Sequence, residues 1–313
     1  PLEVGPAAAR RKDPRPAYLG PKLGLGTDMI DVQTFYDPNT FTLTYVVSDP
    51  ASKDAVVIDP VLDYDPLAVS VSTVSIDAVS AYIEKQGLNL KAVLETHAHA
   101  DHLSGAPNLK KRFGAPVGIG EHIKAVQEVF KGVFNSDCAT DGSQFDFLLG
   151  DGQTYEAGTL KVKALHTPGH TPACMSYLIE DAVFTGDALF MPDFGVGRCD
   201  FPKGSAEQLY DAITTKLYTL PDTTRVFVGH DYQPGGRDLA YESTIAEEKA
   251  KNVQLPASRS KAEFVRFRTE RDATLNPPKL IFQSVQVNVN GGQLPEPESN
   301  GRRYLKLPVG LFD

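Results

Sequence analysis

ETHAHADHLSGA, residues 95–106, is the stretch that decides the fold, because it contains four possible metal ligands, His97, His99, Asp101 and His102. It directly follows the apolar run KAVL, which predicts a buried β-strand. Alternate residues at the end of a strand project to the same side, so His97 and His99 can point at one position. Asp101 and His102 follow in the turn and can point at a second position. Imidazole and carboxylate ligands together suit zinc, iron or manganese, so this stretch predicts a metal site.

Three later strand ends each add one possible ligand. HTPGHTP contributes His170, VFTGD ends in Asp187, and VFVGHD contributes His230, each after a predicted strand. Gly186 permits the sharp turn that would bring the Asp187 carboxylate close to its strand end. Each signal is weak or moderate alone, but five of the seven histidines of the chain are candidate ligands in these four segments. Four strand ends with metal-type ligands therefore predict one shared centre.

The composition excludes several classes of function. The 313 residues are 41% hydrophobic and 23% charged, which is typical of a globular protein in water. No apolar run approaches the roughly 18 residues of a membrane span. The net charge of −9 disfavours binding to nucleic acid or to an anionic membrane, and a small anionic substrate would need a local cluster of arginine and lysine. Three cysteines without a C-x-x-C pair disfavour a disulfide scaffold and indicate a reducing compartment.

The order of predicted elements indicates one folded domain with an extension at each end. Residues 1–27 are rich in Pro, Gly, Ala and basic residues, which predicts an irregular arm. Strand-rich and helical segments occur twice in one order over residues 28–271, which predicts sheets inside and helices outside. Residues 272–313 predict a tail packed on the same domain. The cytoplasm is the expected compartment, with the mitochondrial matrix as the alternative, because the arm is compatible with a transit-peptide remnant.

The ordered ligand set resembles that of the metallo-β-lactamase superfamily. The pattern is H-x-H-x-D-H followed by His, Asp and His, and it falls here on His97, His99, Asp101, His102, His170, Asp187 and His230. The resemblance covers roughly residues 30–250. It implies an α/β fold, an αββα sandwich in which two mixed β-sheets pack face to face with helices outside. It also implies that the active site lies at one edge of the sandwich.

A narrower resemblance is to the persulfide dioxygenase branch of this superfamily. GDALFMPDFGVGRCDFPKGSAEQLY (186–210) is similar to that branch, in which an Arg-x-Asp-Phe segment follows the bridging aspartate, and GHDYQPGGR (229–237) and RDATLNPPKLIFQSVQVN (271–288) extend the likeness. The resemblance implies one Fe(II) held by His97, His170 and Asp187, with open positions for O2 and glutathione persulfide. The outer sulfur would be oxidised to sulfite and glutathione released.

The same resemblance implies roles for other residues. His99, Asp101, His102 and His230 would orient ligands and water by hydrogen bonds. Because glutathione carries two carboxylates, Arg198 and Arg237 could clamp them, Tyr232 could hydrogen-bond the substrate, and Asp200 would hold Arg198 in place. A homodimer is a further expectation, since superfamily relatives often dimerise.

Two alternatives remain open on the sequence. With all seven ligands present, a dinuclear zinc hydrolase is possible, in which His97, His99 and His170 hold one ion, Asp101, His102 and His230 hold the other, and Asp187 bridges them. Such a site would activate a water molecule for attack on a carbonyl carbon, as in a glutathione thioester hydrolase. The other alternative is a protein that binds sulfur species without turnover, and the intact ligand set argues against it.

Overall fold

The structure is a computed structural model that describes residues 17–18 and 30–310. The rest of the predicted arm at residues 1–27, and the end of the predicted tail at 311–313, lie outside this part of the chain. Residues 17–18 form a short strand paired with residues 35–36, which differs from the irregular structure predicted there. Among the described residues, none of the helices has the length and apolar character needed to cross a bilayer.

Ten strands of the first half build one large and one small sheet. They are β1 (Ala17–Tyr18), β2 (Asp31–Asp37), β3 (Thr42–Ser48), β4 (Asp54–Ile58), β5 (Val61–Asp65), β6 (Ser70–Ser72), β7 (Asn89–Leu94), β8 (Leu103–Ser104), β9 (Val117–Gly120) and β10 (Phe147–Leu149). The large sheet has the order β1-β2-β3-β4-β7-β9-β10, and the small sheet has the order β6-β5-β8. The large sheet is mixed, because β2, β3 and β4 pair antiparallel whereas β4, β7, β9 and β10 pair parallel.

The second half builds another mixed sheet in simple chain order. Its strands are β11 (Thr154–Ala157), β12 (Leu160–His166), β13 (Met175–Ile179), β14 (Ala182–Phe184), β15 (Arg225–Phe227) and β16 (Glu242–Thr244). Neighbouring strands are antiparallel except β14 and β15, which pair parallel with Phe184 opposite Phe227. The carboxyl ends of β14 and β15 therefore lie side by side, and the residues that follow them face the same edge of the sheet.

The described part of the chain contains seven α-helices. They are α1 (Val74–Gln86), α2 (Ala106–Phe113), α3 (Ile123–Phe134), α4 (Ala206–Ala212), α5 (Ile245–Lys251), α6 (Lys261–Asp272) and α7 (Ile281–Asn288). A capping box between Ser260 and Glu263 begins α6, and Gly87 with φ of 63° ends α1, as its left-handed conformation favours glycine. Helix α7 lies within the segment that the sequence predicts as a tail.

The two large sheets pack face to face and the helices cover their outer faces. The core between the sheets contains buried aromatic residues from both, including Tyr45, Tyr177, Phe184 and Phe227. On the other face of the first sheet, α1, α2, α3 and α7 bury apolar side chains in a second core. Every residue of β3 and β4 is buried, which agrees with coverage of both faces of the sheet and with the apolar run AVVI of β4. The predicted αββα sandwich is confirmed.

Candidate metal centre

Three predicted ligands converge from three different strand ends. His97 follows β7, His170 follows β12 and Asp187 follows β14. One ligand atom of each lies within 4.8 Å of the others, and all three residues are buried. The Oδ2 atom of Asp187 is 3.5 Å from Nε2 of His170 and 4.0 Å from Nε2 of His97. Atoms bound to one metal ion at about 2.0–2.2 Å lie on the order of 3–4 Å apart, so this group fits a metal ion.

Hydrogen bonds leave the Nε2 atoms of His97 and His170 free to bind a metal. The single hydroxyl hydrogen of Thr96 is donated to Oδ2 of Asp59, so the Thr96 oxygen accepts from Nδ1 of His97 at 3.0 Å. Nδ1 of His170 donates to the carbonyl oxygen of Arg198 at 2.7 Å. Burial lowers the pKa of His97 well below its usual value, and its Nε2 has no hydrogen-bond partner in the described structure. A buried, neutral, unpaired imidazole nitrogen is what a metal ligand requires.

His99 has different partners from His97. Its Nε2 atom lies 3.0 Å from Oδ1 of Asp59 and 3.3 Å from Oε2 of Glu95, both buried carboxyl groups. Burial alone would lower the pKa of His99, but the two carboxyl groups outweigh it and raise that pKa well above its usual value. His97 and His99 therefore do not point at one position. This differs from the prediction made from the alternation of residues at a strand end. The strand ends at Leu94, so these histidines lie in a turn rather than on an extended strand.

Asp101, His102 and His230 form the other side of the centre. Oδ2 of Asp101 accepts a hydrogen bond from Thr42 at 3.1 Å and lies 3.2 Å from Nδ1 of His102. Nε2 of His230 is 3.3 Å from Oδ1 of Asp187 and 3.6 Å from Oδ2 of Asp101. Burial alone would raise the pKa of Asp101, but the imidazoles of His230 and His102 outweigh it and hold that pKa well below its usual range. Several donors within the protein thus already engage the Asp101 carboxylate.

Two residues that the sequence analysis does not single out, Asp59 and Glu95, could also contribute ligands to a metal ion. Both lie with His99 in a group whose ligand atoms are within 4.8 Å of one another. Asp59 follows the apolar strand β4 as His97 follows β7, so the same strand-end signal applies to it. Glu95 is the first residue after β7 and faces the same turn. The backbone NH of Thr96 donates to Asp59 at 2.7 Å, so Asp59 also fixes the turn that carries His97.

A large cavity opens onto this centre. Its volume is about 820 Å³, and its lining includes His102, His170, Asp187, Arg198 and Tyr232. The hairpin of β5 and β6 and the segment that follows α6 supply further parts of its wall. This volume lies within the range of about 300–1,000 Å³ that small-molecule sites occupy.

Comparison with known proteins agrees with this geometry. The sequence profile of the Metallo-beta-lactamase superfamily matches residues 38–230, which include all seven predicted ligands. The chain belongs to the metallo-β-lactamase superfamily. The chain therefore has the fold of a superfamily of metal-dependent enzymes. The His and Asp clusters described above are compatible with a bound metal.

Individual members of the superfamily that resemble the chain have two kinds of name. A probable metallo-hydrolase of Burkholderia pseudomallei is 49% identical over 89% of this chain and 98% of its own length, and glyoxylase B2 of Dictyostelium discoideum is 45% identical over 90% and 97%. The mitochondrial persulfide dioxygenase ETHE1 of Bos taurus is 31% identical over 88% and 93%. The chain spans 65% of the longer relatives named beta-lactamase hydrolase-like proteins. The crystal structure of ETHE1 from Myxococcus xanthus superposes with a TM-score of 0.67 at 35% identity over 84% of this chain and 99% of that one.

The three residues predicted to bind substrate have different positions in this superfamily fold. Arg198 and Tyr232 line the cavity, and Asp200 holds Arg198 through two hydrogen bonds, as predicted. Arg237 is not among the described residues that line the cavity. Its guanidinium group instead forms ion pairs with Asp193 and with the buried Asp231. The structure thus gives Arg237 a place in an ion-pair network with Asp193 and Asp231.

Besides Arg268, which is paired with Asp272, two cationic residues that the sequence analysis does not identify also line the cavity. They are Arg271 and Lys279, which flank the turn between α6 and α7. In the described part of the chain neither has an ion-pair partner, whereas Arg198 is paired with Asp200. The RDATLNPPKL stretch gives no local sign of which side chains face the cavity, because that depends on how α6 packs on the domain.

Proposed function

We propose that this protein is a persulfide dioxygenase that holds one iron ion on His97, His170 and Asp187. The observation that supports it best is the difference between the two groups of ligands. The histidines of the first group are held through Nδ1 with Nε2 directed at the centre, whereas Asp101 and Nε2 of His99 are already bonded to other protein groups. Two histidines and one carboxylate are the ligand set of non-haem Fe(II) oxygenases.

The overall reaction that we propose is balanced with water as a reactant. Glutathione persulfide, O2 and water give glutathione, sulfite and two protons. The sulfur–sulfur bond breaks, the sulfur atoms together lose four electrons, and O2 takes up those four electrons. A bound iron ion would supply the one-electron chemistry that brings O2 and the persulfide sulfur to reaction. The contribution of the chain is to hold the ligands, bind the tripeptide and keep the reacting sulfur beside the centre.

The charges in the cavity support a zwitterionic substrate of this kind. Glutathione has two carboxylates and one ammonium group. Arg271 and Lys279 provide positive charge that no carboxylate of the described chain pairs with. Asp37, Asp63 and Asp65 line the same cavity and could receive the ammonium group. A substrate bound by these groups would place its sulfur toward the metal end of the cavity, where His170 and Asp187 lie.

Removal of the unpaired cations is expected to weaken substrate binding more than turnover. In Arg271→Ala and Lys279→Ala, the KM for glutathione persulfide should rise about 2- to 10-fold each, since an exposed ion pair contributes roughly 0.2–1 kcal/mol and somewhat more when partly enclosed. The value of kcat should change little. Initial rates of oxygen uptake give both constants. Arg266→Ala is the matched control, because Arg266 is an exposed arginine of the same helix outside the cavity lining. Unchanged KM in the double variant would contradict the assignment.

A second candidate function is a dinuclear zinc hydrolase of glutathione thioesters. It is favoured by the relatives named metallo-hydrolase and glyoxylase B2, and by the second group of possible ligands, His99, Asp101 and His102. In that group, Nδ1 of His99 and Nε2 of His102 are buried and have no hydrogen-bond partner in the described structure. These two nitrogen atoms are free to bind a second ion.

The number of metal ions separates the two candidates. We expect one equivalent of iron per chain after anaerobic loading and gel filtration, measured by mass spectrometry of the metal. Asp101→Asn should keep that one equivalent, because Asp101 is not a ligand in our proposal. A dinuclear enzyme would instead contain two equivalents of zinc, lose one of them in Asp101→Asn, and hydrolyse S-lactoylglutathione.

A further inference from the structure

Two buried polar contacts connect the ligand-bearing turns to helices α6 and α7. Both helices lie beyond residue 230, outside the segment that the superfamily profile matches. The contacts therefore belong to this chain's C-terminal part rather than to the region that defines the superfamily. They reach the backbone next to His99, His102 and His170.

The first contact is made by Asn288, the last residue of α7. Its side-chain amide donates to the carbonyl oxygens of His99 and His102, each at 2.8 Å. Its Oδ1 atom accepts the backbone NH of Ser104, also at 2.8 Å. Asn288 is buried, and α7 packs against β8, which begins at Leu103. One side chain thus uses all its polar groups to hold both ends of the turn that runs from His99 to Ser104.

The second contact is made by Asp272, the last residue of α6. Its Oδ2 atom accepts the backbone NH of Cys199 at 2.8 Å, and its Oδ1 atom pairs with the buried guanidinium of Arg268. The peptide that ends at the Cys199 nitrogen begins with the Arg198 carbonyl, which accepts from Nδ1 of His170. Asp272 and His170 therefore bind the two ends of the same peptide group. A rigid peptide group transmits its orientation from one end to the other.

We propose that Asn288 and Asp272 are positioning residues for the metal centre. Asn288 sets the conformation of the turn that carries His99, Asp101 and His102. Asp272, held by Arg268, sets the peptide that fixes the ring of His170. The proposal goes beyond the reaction suggested above, since it requires only that a metal binds at this centre. The turn from His99 to His102 packs against that centre whether or not its side chains are ligands, and the metal need not be iron nor the substrate a persulfide.

The test for Asn288 is the affinity of the metal-free protein for Co²⁺, measured by titration against a chromophoric chelator. In Asn288→Ala the dissociation constant is expected to rise about 10- to 100-fold, the cost that loss of an outer hydrogen-bond partner of a metal site has elsewhere. The visible absorption of bound Co²⁺ should also change, because the ligand geometry changes. Gln286→Ala is the matched control, since Gln286 is an amide of the same helix that bonds to residues 282 and 306 instead.

A second variant, Asn288→Asp, and a second measurement, the melting temperature, distinguish an effect of Asn288 on folding from an effect on the metal centre. Asn288→Asp keeps the acceptor for Ser104 but replaces the two donors with an oxygen atom that faces two carbonyl oxygens. It should show the same loss of Co²⁺ affinity even if Asn288→Ala does not fold. The melting temperature of the metal-free protein is measured in parallel. If the melting temperature falls in both variants while Co²⁺ affinity and absorption stay at the wild-type values, the residue is only structural and the proposal is wrong.

For Asp272, rescue by the conservative variant is the deciding result. Asp272→Asn retains one acceptor for the Cys199 NH, whereas Asp272→Ala retains none. We expect the Co²⁺ dissociation constant to rise about 10- to 100-fold in Asp272→Ala. Asp272→Asn should recover part of that loss, because its amide oxygen still accepts the Cys199 NH although its NH2 group cannot pair with Arg268. Glu270→Ala, at an exposed position of the same helix, should match the wild type. Equal Co²⁺ affinity in Asp272→Ala and the wild type would overturn the role of Asp272.

Discussion

Asp187→Ala is expected to abolish metal binding and oxygen uptake with glutathione persulfide. Asp187 provides the carboxylate of the group that includes His97 and His170, and Nε2 of His230 also lies 3.3 Å from it. Without that negative charge, three imidazoles would surround the metal position and the net attraction for a dication would fall. The loss should exceed the roughly 100-fold upper end that removal of an outer partner causes, because Asp187 is a proposed direct ligand.

Metal content and activity are the two measurements for Asp187→Ala. The control is Asp211→Ala. Asp211 lies near the end of α4, and its exposed carboxylate is paired with Lys261 of α6. The control should retain one equivalent of metal and full turnover. A folded Asp187→Ala protein that still bound a full equivalent of iron at wild-type affinity would contradict the assigned ligand set.

Gly197→Ala is also expected to weaken metal binding, although glycine provides no ligand. A Cβ atom at residue 197 would lie 2.0 Å from the carbonyl oxygen of Asp187 and 3.4 Å from Cβ of His170. A backbone oxygen cannot move away from that clash unless Asp187 itself moves. We expect metal affinity to fall at least 10-fold and the free energy of unfolding to fall by about 1–3 kcal/mol, the usual cost of overpacking.

The matched control for this substitution is Gly132→Ala. Gly132 lies in α3, and a Cβ atom there would meet no other atom within 4 Å. That substitution should raise stability by about 0.5–1 kcal/mol, because alanine favours a helix interior more than glycine does. Chemical denaturation of both metal-free variants, with Co²⁺ titration of each, checks the pair. Wild-type metal affinity in Gly197→Ala would show that the Asp187 backbone is not held as closely as described.

The fold and the cluster of possible metal ligands were largely predictable because their signals are local. Apolar strand runs followed within four residues by His97, His170, Asp187 and His230 can be recognised without knowledge of the tertiary structure. The αββα arrangement follows from the order of those strands and helices and from the resemblance to the superfamily. The separate roles of His97 and His99 were harder to predict, since they depend on Asp59, which follows another strand, β4.

The supporting contacts could not be predicted, because they join parts of the chain that are far apart in sequence. Asn288 reaches a carbonyl 189 residues away, and no local pattern marks an asparagine near a helix end for that task. Arg237 was predicted to clamp a substrate carboxylate, and no local pattern shows that it pairs with Asp193, 44 residues earlier in the chain. Arg271 and Lys279 face the cavity only because α6 packs as it does. Tertiary packing and charge pairing determine which of these side chains contact the site.

The most direct test of the proposed function is oxygen uptake by the iron-loaded protein with glutathione persulfide, with sulfite measured in the same samples. We expect one molecule of O2 consumed for each sulfite formed, with no uptake by Asp187→Ala or by the metal-free protein. The zinc-loaded protein should consume no oxygen. If the iron-loaded protein consumed no oxygen, and two equivalents of zinc gave rapid hydrolysis of S-lactoylglutathione, the dioxygenase proposal would be wrong and the hydrolase would take its place.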